Sequence, residues 1–132
     1  MLRMTMREYQ EKFGGKPKGK KYKNDPIVID DHEFPSRREA GRYCELVALQ
    51  KAGEISNLRM QVKFQLIPAQ YEDRFNKKNL LERPVNYIAD FVYNDKRTGE
   101  LVVEDSKGYR TREYIIKRKL MLKVHNIRIK EV

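Results

Sequence analysis

The chain reads as a mixed α/β domain of the α+β kind, in the order helix, strand, strand, strand, helix, strand. Three observations carry that reading. A capped amphipathic segment opens at Ser36, strict alternation follows from Leu58 to Leu66, and two apolar runs around "NYIADFVY" and "LVVEDSK" are joined by a glycine turn.

The first helix is the clearest element. Ser36 is a good N-cap, and Glu39 three residues on completes the pattern of a capping box. Ala40, Tyr43, Cys44 and Val47 recur at helical spacing, and Gly53 supplies the stop. In "SNLRMQVKFQLIPAQ", Leu58, Met60, Val62, Phe64 and Leu66 fall on one side, as a half-buried strand requires. "YEDRFNKKNLLERP" (Tyr71–Pro84) is polar without clean periodicity and is expected to be a long loop, a length more often functional than incidental. The next two strands meet across "NDKRTGE", where Thr98-Gly99 signals a hairpin. Thr111 can cap a second helix over Arg112–Lys123, with Ile116, Leu120 and Val124 on its expected buried stripe, and "HNIRIKEV" closes as a short strand. Residues 1–24 are expected to form a mobile basic arm ahead of a single domain over 25–132. "GGKPKGKKYKN", with Lys18, Lys20 and Lys21, has too little apolar matter to pack, although Met4–Phe13 allows a short helix.

Composition narrows the partners. The 132 residues carry 29 Lys and Arg against 19 Asp and Glu, a formal charge of +10. That field favours a polyanion, and nucleic acid is the commonest one. No apolar run is long enough to suggest a membrane partner. The single Cys44 excludes an internal disulfide, and no signal peptide is visible, so a reducing, cytoplasmic setting is expected. His32 and His125 belong to no ligand cluster.

The two later strands raise a chemical question, because each holds an acid among residues bound for the core. Alternation puts Asp105, Lys107 and Val103 on one face, and Asp90 with Ile88 and Val92, while Tyr87, Ala89 and Phe91 cover the other side. An ionised carboxylate inside a covered sheet is costly unless compensated, and Lys107 can compensate one acid but hardly two. A divalent cation explains both: Mg²⁺ takes one or two carboxylates and leaves positions for water and a phosphate, and Mn²⁺ accepts the same donors. Lys107 beside such an ion completes a kit for phosphodiester hydrolysis. The plainer alternative makes Asp90 and Asp105 sheet-end residues facing water and Lys107 a surface partner. Glu39 has two readings as well. It either folds back on the Ser36 backbone, or reaches from the first helical turn as a further ligand, on the side of Tyr43 and Leu46.

Basic residues flank these acids. Arg110 and Arg112 stand at the start of the second helix, where free N–H groups suit a phosphate. Tyr114 and Lys117 share a side of that helix and can contact the cleaved strand or lie over the sheet edge. Arg37, Arg38 and the arm lysines can hold flanking backbone, contacts that position DNA without reading its sequence.

Together, Glu39 on an opening helix, Asp90 on one strand, "DSK" (Asp105–Lys107) on the next, then a helix and strand resemble the PD-(D/E)xK nuclease superfamily. Closer still is a family of small phage-borne proteins of unknown function that resembles Holliday junction resolvases. The matching stretches are "FPSRREAGRYCEL", "YIADF", "VVEDSKGYRTREYIIKRKL" and the closing strand, covering about residues 34–130. The resemblance implies a restriction-endonuclease-like αβββαβ core with a mixed central sheet flanked by helices, and a Mg²⁺-dependent DNA endonuclease acting on junctions or branched DNA, often as a homodimer. It makes Asp90 and Asp105 metal ligands, Lys107 the catalytic lysine and Glu39 the helix acid. Ala89 stands where that superfamily has Pro, and Asp105 where Glu is common. If the gene is phage-borne, the setting is the host cytoplasm. Two rivals remain: a non-catalytic nucleic-acid-binding module that retains the fold, and a protein-interaction adaptor built on the Tyr71–Pro84 segment.

Overall fold

The computed structural model describes residues 2–13 and 26–132, which divide into two compact units, Met1–Gly53 and Glu54–Val132. The division falls at Gly53, inside the stretch expected as one domain from residue 25. Residues 2–13 contribute strand β1 (Leu2–Met4) and helix α1 (Met6–Phe13), not an arm. The arm segment 14–24, with Lys18, Lys20 and Lys21, lies outside the described residues.

In the first unit, β1 pairs in parallel with β2 (Ile27–Ile29), which turns back antiparallel into β3 (His32–Phe34). Neither short strand carries an alternating pattern long enough to read. Helix α2 (Arg37–Lys51) follows, and Ser36 Oγ accepts from the Glu39 N–H at 3.2 Å, the expected cap. Ala40, Tyr43, Cys44 and Leu46 form its buried face, so Leu46 goes deeper than the expected Val47. Tyr43 packs on Phe34 at 4.9 Å between centroids, and the Tyr9 hydroxyl donates to the Arg37 carbonyl, tying α1 to the helix start. Gly53 ends the element at φ +80°, where a Cβ would be strained.

The second unit holds the expected strand–strand–strand–helix–strand run. Strands β4 (Ile55–Ile67), β7 (Val85–Asp95), β8 (Leu101–Asp105) and β9 (Lys130–Glu131) form one mixed sheet in the order β4-β7-β8-β9. The first two contacts are antiparallel and the last is parallel. Helix α3 (Arg112–His125) supplies the crossover between β8 and β9, as a parallel pair demands. Thr111 caps it by accepting from the Tyr114 N–H at 3.1 Å, and Asn126 ends it in the left-handed region at φ 56°.

Three expectations for this unit are corrected. The Tyr71–Pro84 stretch is not a loop: β5 (Gln70–Arg74) and β6 (Lys77–Glu82) pair as a two-stranded hairpin. Its strands bury nothing, so apolar periodicity had no core to reflect. On α3, Ile116 and Val124 are exposed, and the buried positions are Tyr114 and Met121, with Leu120 packed partly against them. Arg and Lys at intervening positions lend long stems to that face, which blurs its pattern in sequence. Finally, Tyr87, Ala89 and Val92 all join the core cluster with Leu66, Val103, Tyr114, Met121 and Ile129. The alternation of β7 therefore slips between Ala89 and Val92, at Asp90. The register sets Gln61 opposite that point, and Gln61 is itself in the left-handed region at φ 52°.

Candidate functional site

The site is built where β7 and β8 run out of ladder. Phe91 pairs with Glu104 and Val92 with Val103, and just past this last rung the Asp90 and Asp105 side chains come close enough to interact. Both carboxylates thus meet at the end of the ladder, not within it. A left-handed Gln61 beside the slip is the kind of strained position that sheets carry near functional sites.

Each acid has a specific surround. Asp90 is half-buried, and its Oδ2 accepts from the Ser106 N–H at 2.9 Å. Asp105 is 2% exposed, and its Oδ2 accepts from the Tyr87 hydroxyl at 2.5 Å. The Lys107 ammonium lies 3.2 Å from Asp105 Oδ1 and 4.4 Å above the centre of the Tyr114 ring. A cation over an aromatic face gains electrostatically from it, so Tyr114 steers the ammonium toward the acids. The segment "DSK" is clamped by β9: Val132 N–H donates to the Asp105 carbonyl at 3.0 Å, and Lys107 N–H to the Val132 carbonyl at 3.3 Å.

The electrostatics follow from this crowding. Burial pushes the Asp90 carboxyl up to about 6, and the neighbouring Asp105 adds to the rise; the Ser106 N–H and Lys107 oppose it. Tyr87 is driven far above its ordinary value by burial and by donating to Asp105. Tyr114 is pushed up to about 12, by burial first and by Glu131 and Asp105 next. The site therefore holds an Asp90 carboxyl whose ionisation is resisted by burial first and by the neighbouring Asp105 next. That is the condition a hard cation relieves, and carboxylate oxygens are donors of the kind Mg²⁺ takes.

The other expected residues separate clearly. Arg110 and Arg118 both pair with Glu131 on β9, the latter at 2.8 Å, so Arg110 ties the helix entry to the sheet. Arg112 is exposed, and Lys117 pairs with Glu113 at 3.0 Å. Tyr114, expected as a surface contact to DNA, is 5% exposed and is a core residue instead. Arg38 is exposed and Arg37 half-buried in the first unit, where Glu39 is also half-buried with Oε2 enclosed. Among the described residues, no group of three or more His, Cys, Asp or Glu stands at cation-ligand spacing; the acids gathered on β7 and β8 are a pair.

Sequence reasoning missed the supports: Tyr87, the Ser106 N–H, Glu131 and a second buried acid, Glu104. Glu104 is fully buried, projects to the opposite face of β8 and accepts from the Tyr93 hydroxyl. The signal lay in Tyr87 and Tyr93 of "YIADFVY", hydroxyls on one strand that donate to Asp105 and Glu104 of "VVED" on the next, as a buried carboxylate requires.

Fold and site define an α+β protein with a paired-acid and lysine centre at the end of a mixed sheet. The chain belongs to the family described as "Protein of unknown function (DUF1064)", whose model matches residues 19–132. No curated protein and no solved structure matches it. Among the described residues, no helix is long and apolar enough to cross a membrane.

Proposed function

We propose that this protein is a metal-dependent endonuclease that hydrolyses DNA phosphodiesters, of the PD-(D/E)xK kind, with branched DNA or a Holliday junction as its substrate. The observation that carries the reading is the meeting of Asp90 and Asp105, one of them pushed up to about 6, with the Lys107 ammonium 3.2 Å from the second. A binding module gains nothing from two carboxylates where phosphates dock, since each repels the ligand.

Asp90 and Asp105 would hold the cation, Mg²⁺ or Mn²⁺, which polarises a phosphoryl oxygen and makes a bound water more acidic. Tyr87 and the Ser106 N–H fix the two carboxylates in place. Lys107 presents a fixed positive charge where negative charge grows on the phosphoryl oxygens, and it orients the attacking water. Water oxygen bonds to phosphorus, the bond to the leaving oxygen breaks, and that oxygen gains a proton. Arg112, Arg38 and the basic segment with Lys18, Lys20 and Lys21 supply cations for flanking phosphates. The resemblance gives Glu39 the role of the helix acid.

The test is cleavage of four-way, forked and linear DNA by purified protein with and without Mg²⁺. Asp105→Asn is expected to lower cutting at least about 100-fold, the scale of losing an electrostatic group at a reacting centre, while DNA binding persists. Cutting by Asp105→Asn at the wild-type rate defeats the reading.

A further inference from the structure

The hairpin β5–β6 plays no part in the centre described above. Every residue from 70 to 84 is exposed, including Tyr71, Leu80 and Leu81, and Phe75 at the tip is 85% exposed. An isolated two-stranded ribbon is marginally stable by itself, so one that is exposed along its whole length and displays aromatics is built for a contact.

The turn sharpens this. Arg74 pairs with Lys77, leaving Phe75 and Asn76 as a two-residue connection with φ 55° and 57°. Both central positions of such a turn need the left-handed region, which favours Asn or Gly and penalises a bulky aromatic. A phenylalanine here is strained locally and shielded by nothing but the Arg74 guanidinium, 5.4 Å from its ring. Strain of this kind persists where function requires it. The neighbouring residues point to a polyanion, because Arg74, Lys77 and Lys78 crowd the turn that carries the ring, and Asp73, paired with Lys78, is the nearest acid. Lys78 also sits 4.6 Å over the Tyr71 ring, which holds the cation along the ribbon.

We propose that this hairpin is a DNA-contacting arm, with Arg74, Lys77 and Lys78 on phosphates and Phe75 stacked against bases opened at a branch point. The inference rests on the nuclease reading for its substrate and adds the element that selects DNA shape. A cationic tip matches a phosphate backbone, and a projecting aromatic gains most where bases are already unstacked. A protein partner for the same surface has no comparable claim on three clustered cations.

The experiment uses the whole protein in metal-free buffer, so that cutting plays no part. A four-way junction and a linear duplex carry 2-aminopurine, at the branch and at mid-duplex. Wild type is expected to raise the fluorescence at the branch. Phe75→Gly removes the ring and relieves the turn, so it should lose that rise and bind the junction about tenfold or more weakly, with melting temperature unchanged or higher. Arg74→Ala/Lys77→Ala/Lys78→Ala should lower the salt slope of binding by about 2 to 3. Junction binding and fluorescence unchanged in Phe75→Gly overturn the proposal. So does a triple variant that changes only the oligomeric state in sedimentation, which assigns the hairpin to a second copy. Loss or survival of Mg²⁺-dependent cutting in Asp105→Asn bears on the nuclease reading alone.

Discussion

Asp90→Asn is the perturbation whose sign most directly tests the electrostatics of the centre. Asn keeps an oxygen for the Ser106 N–H and removes the charge. The Asp90 carboxyl moves from an ordinary 3.8 to about 6 on folding, a rise caused first by burial and then opposed by Ser106 and Lys107. A raised folded value means that the wild-type contribution is fully present below pH 3.8 and is lost as pH climbs through about 6. At 1.36 kcal/mol per pH unit, the loss is bounded by about 3 kcal/mol, and solvent at this half-buried group trims it to about 1–2 kcal/mol. Asp90→Asn should therefore melt with the wild type near pH 4 and above it by about 4–10 °C at pH 8, in metal-free buffer. Mg²⁺ should raise the melting temperature of the wild type and not of the variant, with affinity climbing as pH passes through about 6. Melts by circular dichroism across that range are sufficient. A variant less stable than wild type at pH 8, or a difference independent of pH, refutes the picture of two acids held together against their repulsion.

Removing the ammonium should act in the opposite direction. Lys107→Met leaves Asp105, 2% exposed, beside Asp90 with no cation, and is expected to cost about 2–3 kcal/mol at pH 8 in denaturant unfolding, along with the cleavage activity. Glu39→Gln keeps the N–H that Ser36 receives, so melting should hold; if Glu39 is the third acid, cutting falls at least about tenfold, and an unchanged rate returns it to a capping role. Asn126→Gly, at the left-handed end of α3, should stabilise by about 0.5–1 kcal/mol in the same unfolding assay, because glycine meets no steric cost there.

Local signals fixed the elements of this protein without any fold: Ser36 and Thr111 cap their helices because a hydroxyl satisfies free N–H groups wherever a helix begins. The even spacing from Leu58 to Leu66 needed only a strand with one covered face. The alternation rule also put an acid in each of β7 and β8. What it could not supply was register, and only the folded sheet brought Asp90 beside Asp105, just past the last rung between β7 and β8. Tyr114 shows the same limit, since a tyrosine in a basic helix is equally suited to DNA or to the core until Met121 and Val103 close around it. The hairpin from Gln70 to Glu82 escaped notice because sequence periodicity records burial, and these strands pair through backbone hydrogen bonds that leave no trace in the pattern of side chains. Composition and local spacing determine which groups exist and which way a segment alternates; which of them meet is settled by long-range pairing, where a shift of one residue sends each side chain to the other face.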